Sequence, residues 1–386
     1  MTDKEKVTAP VPSVGADGEQ PLNKNYYKES IADLHTEGNL QAADFCDFGT
    51  SDVNCRKECG LEDLQTVTME ELYDSVYPPK TPVVEGLVYA GTYLFVGAPK
   101  VGKSFFMAQL GYHVSRGIPL WDYPVRKGTV LYLALEDDYA RLQKRLSRMF
   151  GLDSTDSFYF ATKSKSLNEG LEEQLTRFVK EHEDARLIII DTLQKVREVG
   201  GDKFSYASDY DIVTKLKHFS DTHGICLLVV HHTRKLESAD SFDMISGTNG
   251  LLGAADGAFV MQKEKRTGNR AFLEVAGRDQ QEQRILLDFD RELCQWKFVR
   301  AETELWREPA DTVLELLAGF MEKQKKWQGT ATELLHEIPE LDMQPNVLTR
   351  KLNVSMERLF VDYGIRYESK RGHRSRMIKL ELEQKA

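Results

Sequence analysis

Cysteine is scarce, with five in 386 residues, an odd number. So few thiols argue against a disulfide framework and against an oxidising compartment. Cys46, Cys55 and Cys59 are spaced C-x8-C-x3-C, which fits no common zinc pattern, and His35 is the one histidine nearby. Long apolar runs are also missing. None approaches the roughly 18–20 residues a membrane span needs, and the opening stretch MTDKEKVTAPVPS has no apolar signal core. A cytoplasmic protein with no membrane partner is expected. Neither an internal repeat nor a low-complexity tract is present.

A basic surplus is lacking too, since the net charge is −10. The acid is unevenly placed. Residues 1–80 hold 16 Asp and Glu against 7 Lys and Arg, whereas residues 345–380 hold 9 Lys and Arg against 3 Asp and Glu. The acidic mean therefore does not exclude a nucleic-acid partner, because a basic cluster sits near the C-terminus.

With hydrophobic residues at 41% and charged residues at 29%, the composition is that of an ordinary globular protein. The length suits two folded units and a tail. Residues 1–80 are expected to be acidic and largely disordered, with a short helix at 69–76 (MEELYDSV) and a stiff linker at 77–82 (YPPKTP). Residues 81–304 carry apolar runs at 92–97, 129–135, 187–191 and 226–231, separated by helical patterns at 103–115, 138–150, 171–182 and 208–222. That alternation predicts an α/β fold with a mostly parallel central sheet buried on both faces. Strands at 258–263, 271–275, 285–289 and 296–299, joined by short turns, predict an antiparallel extension. Residues 305–386 predict a helix at 312–325, a second opened by the capping box Thr330-Ala-Thr-Glu333, a third from Pro345 to Gly364, and a basic hairpin over 365–382. Three helices and a basic ribbon outline a winged helix.

Gly97-Ala98-Pro99-Lys100-Val101-Gly102-Lys103-Ser104 matches G-x-x-x-x-G-K-S between a predicted strand and a predicted helix. Such a loop turns its N–H groups toward phosphate. Lys103 would reach the β- and γ-phosphates of ATP, Ser104 would ligate Mg²⁺, and Phe105 follows on the same helix. Asp191 ends an apolar strand, where a carboxylate serves the same metal. Glu136 and Asp137 are adjacent at another strand end, so one of them points into the site, and Glu136 is favoured as the base for the attacking water. His231 and His232 likewise face opposite sides, and His232 is favoured as the γ-phosphate sensor. Arg278, distant in sequence, could complete a neighbouring subunit's site.

These elements resemble the RecA-like hexameric helicases, in particular the plasmid RepA-type branch related to the DnaB-type replicative helicases. The carriers are GAPKVGKS at 97–104, YLALEDD at 132–138, LIIIDT at 187–192, LVVHHTRK at 228–235, SGTNGLLGAADGAFVM at 246–261 and AGRDQ at 276–280. The resemblance covers roughly residues 83–300. It implies Glu136 as catalytic base, Asp191 serving Mg²⁺, His232 as sensor and Arg278 as an arginine finger acting across subunits. It also implies a homo-oligomeric ring of six with single-stranded DNA in its channel, met by the loops at 192–205 and 234–246. Arg197, Lys203, Arg234 and Lys235 would supply phosphate contacts there. One departure is Ala276-Gly277-Arg278, where DnaB-type helicases usually carry Lys-x-Arg. The C-terminal residues resemble winged-helix modules attached to such ATPases. Arg350, Lys351 and Arg358 would lie on the recognition helix and Lys370, Arg371, Arg374 and Arg376 on the wing, against duplex DNA. The expected function is ATP-driven unwinding or translocation during replication of a plasmid or other mobile element. The alternative is a DNA-binding ATPase switch or regulator that does not unwind.

Overall fold

The computed structural model describes residues 64, 66–77, 79–197, 206–232, 242, 249–265, 267–278, 280–303, 309–371 and 376–383. Helix α1 (Met69–Asp74) is opened by a capping box, in which the Thr68 hydroxyl accepts from the Glu71 N–H and the Glu71 carboxylate accepts from the Thr68 N–H. A small antiparallel pair, β1 (Pro82–Val84) and β2 (Val88–Tyr89), leads into the main sheet. Then follow β3 (Gly91–Gly97), α2 (Lys103–Arg116), β4 (Thr129–Ala134), α3 (Tyr139–Phe150), β5 (Phe158–Ala161) and α4 (Leu171–Glu181). Next come β6 (Ala185–Asp191), α5 (Leu193–Val196), α6 (Tyr206–His223), β7 (Cys226–His232), α7 (Asn249–Ala254) and β8 (Gly257–Lys263). A meander of β9 (Arg270–Gly277), β10 (Gln283–Asp290) and β11 (Gln295–Ala301) closes this unit.

All strands from β3 to β11 form one sheet in the order β11-β10-β9-β8-β3-β7-β6-β4-β5. Strands β8 to β5 of that order pair in parallel, and β9, β10 and β11 run antiparallel. Alternate residues feed two cores. Tyr93, Phe95, Tyr132 and Ile189 pack against α2 and α3, while Leu94, Val96, Leu133 and Ile190 pack against α4, α6 and α7. This is the α/β fold expected of the RecA-like class.

Two strand expectations need correction. The sequence pattern puts 258–263 at the start of the antiparallel extension, but β8 runs parallel to β3, because the chain returns through α7 before entering it. Strand β5 is absent from the sequence-based expectation. It is four residues long, sits at the sheet edge and is only partly buried, so its pattern is weak.

The C-terminal unit comprises α8 (Thr312–Gln324), β12 (Lys326–Gly329), α9 (Ala331–Glu337), α10 (Pro345–Val354), α11 (Met356–Tyr363), β13 (Ile365–Arg371) and β14 (Arg376–Leu382). Its antiparallel sheet has the order β12-β14-β13. Leu317, Leu334, Leu348, Leu352, Leu359 and Leu380 belong to its own core. The capping box at Thr330 and the hairpin are present as expected. The expected single helix from Pro345 to Gly364 is instead two. Ser355, at φ −101° and ψ 14°, ends α10 and begins α11, in keeping with the preference of serine for caps and turns. Apolar spacing continues across the break, so the sequence does not reveal it.

Candidate nucleotide site

The sheet register assembles the site from distant residues. Gly97 at the end of β3 lies opposite His232 at the end of β7. Asp191 at the end of β6 is level with Val230 on one side and Ala134 on the other. Glu136 follows Ala134 by two residues, so all four residues meet at the C-terminal edge of neighbouring parallel strands.

The loop from Gly97 to Ser104 turns tightly into α2. Gly102 has φ +110°, and a Cβ there would fall 2.7 Å from Trp296 Cζ2, so the position requires glycine. A Cβ on Gly97 would fall 2.7 Å from the Met261 carbonyl oxygen of β8. Ala98, Pro99 and Lys100 are exposed, and Val101 is buried. The Phe105 ring leaves the loop, with its centroid 5.4 Å from that of Phe289.

Lys103 is 6% exposed. Its Nζ donates to the Gly97 oxygen at 2.6 Å and the Ala98 oxygen at 3.1 Å, and it lies 3.3 Å from His232 Nδ1. Burial pushes its pKa down to about 8, against the pull of Asp191 and Glu136. An ammonium has no lone pair, so Nδ1 of His232 is the acceptor and the ring proton sits on Nε2. Burial and the Lys103 charge lower the His232 pKa, which keeps the ring neutral at pH 7 with one N–H to offer. His231, beside it, is 6% exposed.

The Ser104 hydroxyl donates to Asp191 Oδ2 at 2.7 Å, and the Tyr132 hydroxyl donates to the same oxygen at 2.8 Å. Burial raises the Asp191 pKa and these hydrogen bonds oppose it. A serine hydroxyl and a carboxylate beside a phosphate loop are hard oxygen donors, and they suit Mg²⁺. The Thr192 hydroxyl reaches Glu136 Oε1 at 3.4 Å. Of the carboxylates at 136–138, Asp138 caps α3 and Asp137 is bound by arginine. Glu136 is exposed at the mouth of the site.

Arg278 is not brought to this edge. Gly277 pairs with Gly257, which is level with Tyr93 at the opposite end of β3. Four residues of strand separate Tyr93 from Gly97, about 13 Å. The Arg278 Nη2 donates to the Gly253 oxygen at 2.6 Å, and its N–H to the Asp256 oxygen at 2.8 Å.

Residues 56–238 match a family described as AAA domain, and that stretch includes the phosphate loop, Glu136, Asp191 and His232. The domain is a RecA-like P-loop ATPase. Over 156 residues the chain is 25% identical to the DNA repair protein RadA of Streptococcus pneumoniae (strain ATCC BAA-255 / R6), covering 40% of this chain and 33% of RadA. The chain thus spans about a third of the length of that relative. Two solved structures are also similar, each at 15% identity and over 55% of this chain. One is an isolated ATPase domain, with a TM-score of 0.46 and 85% of that chain covered. The other is a DnaB-like replicative helicase studied with primase, with a TM-score of 0.45 and 58% covered. As a P-loop ATPase, the domain implies bound nucleotide and Mg²⁺ and supports an ATP-hydrolysing enzyme.

Several residues that serve the ATPase site escape a reading of the sequence. The indole N–H of Trp296 donates to the Gly102 oxygen at 3.2 Å, and Gln109 bridges α2 to both the N–H and the carbonyl of Trp296. Tyr132, buried in β4, orients Asp191. Asp256, 4% exposed, binds the Thr92 N–H, Lys217 and Lys80. An aromatic or a carboxylate in a strand has no motif, so only contacts identify such roles.

The expected DNA contacts fare unevenly. Arg197 is half-buried and closes α5. Lys203, Arg234, Lys235 and Arg374 lie outside the described residues. Lys370 and Arg371 are exposed on β13. The sequence-based expectation that Arg350 and Lys351 present free charge is corrected by the structure. Arg350 binds Glu70 at 2.6 Å and Asp74 at 2.8 Å, both from α1, and Lys351 binds Asp311 at 2.5 Å. Asn353 adds a hydrogen bond of 2.9 Å to the Tyr73 carbonyl. The acidic helix folds back on α10, a contact between positions 280 residues apart. Arg358 is likewise paired, with Asp362 at 3.1 Å.

Proposed function

We propose that this protein is an ATP-driven DNA translocase or helicase serving replication of a plasmid or other mobile element. The observation that carries the reading is the convergence of Lys103, Ser104, Asp191, Glu136 and His232 on one edge of the sheet, with Arg278 at the other end. Lys103 and the α2 N-terminus would hold the phosphates. Ser104 and Asp191 would hold Mg²⁺, which supplies charge neutralisation on the phosphate oxygens. Glu136 would accept the proton of the attacking water, and the His232 Nε2–H would report the γ-phosphate.

An arginine about 13 Å along the strand from its own phosphate loop cannot reach that loop's nucleotide, so Arg278 would serve the site of an adjacent copy. A closed ring of six is the assembly the helicase resemblance implies. Arg197, Lys203, Arg234 and Lys235 would then face single-stranded DNA in the channel. The C-terminal unit, three-stranded with helices ahead of its hairpin, suits a winged-helix role on duplex DNA, with Lys370, Arg371 and Arg374 on the wing.

ATP hydrolysis with and without single-stranded DNA, using Lys103→Ala as the blank, tests the reading. Strong stimulation by single strands is expected, followed by opening of a forked duplex. Hydrolysis indifferent to DNA would reject a DNA-coupled motor. The second reading is a DNA-bound ATPase switch that does not unwind. It draws on the match to RadA, a repair protein by its name, and stimulated hydrolysis without unwinding would favour it.

A further inference from the structure

The run Glu136-Asp137-Asp138 places three carboxylates in a row at the mouth of the nucleotide site, and the structure gives each a different task. Asp138 accepts the Arg141 N–H at 2.7 Å and starts α3. Asp137 receives a fork from Arg145, with Nη1 to Oδ2 at 2.7 Å and Nη2 to Oδ1 at 3.3 Å. The side chains of Arg145 and Asp137 are 14% and 10% exposed. Arg141 adds a bond to Asp137 Oδ1 at 3.2 Å and reaches the Glu136 carbonyl at 3.4 Å. The Arg145 guanidinium also lies 5.3 Å from the centre of the Phe105 ring, on the residue that follows Ser104. One planar cation therefore touches both the strand end that carries Glu136 and the helix that begins at the phosphate loop.

We infer that Arg145 is a positioning residue for hydrolysis: by forking Asp137 and resting on Phe105 it fixes Glu136 relative to the phosphate loop. The inference rests on the reading of Glu136 as the base. A planar fork with two N–H groups on one carboxylate and its face on an aromatic ring holds angle as well as distance, which lysine cannot do. The base must sit within a fraction of an ångström of its productive place, and misplacement by about 1 Å costs on the order of a hundredfold in rate. Arg145 touches neither nucleotide nor water, so its loss should leave ATP binding nearly intact.

The experiment compares Arg145→Gln, Arg145→Lys, Asp137→Asn and the double variant Asp137→Asn/Arg145→Gln with the parent and Glu136→Gln. It reads kcat, nucleotide Kd, and affinity for ADP with aluminium fluoride, which mimics the transferring phosphoryl group. Each single variant is expected to lower kcat about 10- to 100-fold and to weaken the aluminium fluoride complex in step. ATP Kd should stay within about threefold, and the lysine variant should fall between. The double variant should be no worse than the worse single one, as residues acting as a unit behave. Parent-like kcat in Arg145→Gln, additive losses in the double variant, or ATP Kd falling as far as kcat would each overturn the positioning role. If Glu136→Gln keeps hydrolysing at the parent rate, the base assignment fails and this inference falls with it. If Glu136→Gln is inactive and Arg145→Gln is parent-like, only this inference fails.

Discussion

Lys103 has three acceptors around its ammonium but little water, and burial holds its pKa at about 8. A bound triphosphate favours the charged form, so the pKa must rise on binding. Above pH 8, nucleotide binding should take up a proton at Lys103, and affinity should weaken as pH climbs. Calorimetry at pH 8.5 in buffers of different ionisation enthalpy checks this through the buffer dependence of the heat. The same shift affects stability in the nucleotide-free protein. Between about pH 8 and the free-lysine value near 10.4, the unfolded chain holds a proton that the folded one has lost, so this group makes stability rise with pH there. At Gly102, alanine meets both a φ of +110° and the Trp296 ring at 2.7 Å. Gly102→Ala is expected to cost about 1–3 kcal/mol and to abolish nucleotide binding, measured by denaturant unfolding and by titration.

At the scale of elements, α2 is held from behind by β11. Trp296 is buried, its indole donates to the Gly102 oxygen, and Gln109 and Trp121 both bond its carbonyl. The antiparallel extension thus braces the phosphate loop, although it lies outside the span matched by the AAA family. Trp296→Ala is expected to destabilise the ATPase domain by about 3–5 kcal/mol, whereas Trp296→Phe should retain the fold and weaken nucleotide binding, which chemical denaturation and titration separate. A second contact between elements involves α1 and α10. Glu70 and Asp74 occupy Arg350 as phosphates would. The double variant Glu70→Gln/Asp74→Asn should therefore raise affinity for short duplex DNA by about three- to tenfold at low salt. Neutralising Glu172 and Glu173 on α4 instead should not. Fluorescence anisotropy distinguishes the two.

For the whole molecule, the position of Arg278 is decisive. Strand register sets it at the end of the sheet away from Gly97, with its guanidinium on the Gly253 carbonyl. If sites are shared between copies, Glu136→Gln and Arg278→Ala should each be inactive alone, and mixing them should restore part of the hydrolysis. A mixture as inactive as its components would place the arginine outside the reaction. Specific activity of the parent should also rise with protein concentration until assembly is complete.

Much of this was legible in the chain. The phosphate loop, the strand ending in Asp191, Glu136 and the adjacent histidines are local patterns, because a phosphate site needs glycine flexibility, a helix start and strand-end carboxylates at fixed places. The alternation of apolar runs and helices likewise determined a largely parallel sheet. Tertiary structure alone decided which of two adjacent carboxylates was free, since Arg145 claims Asp137 from two helical turns away. It decided the Trp296 brace, the parallel direction of β8 and the break at Ser355. It also set Arg350 against α1 rather than solvent. Those outcomes depend on pairings between residues far apart in sequence, where packing and charge compensation act across space and leave no period or motif along the chain.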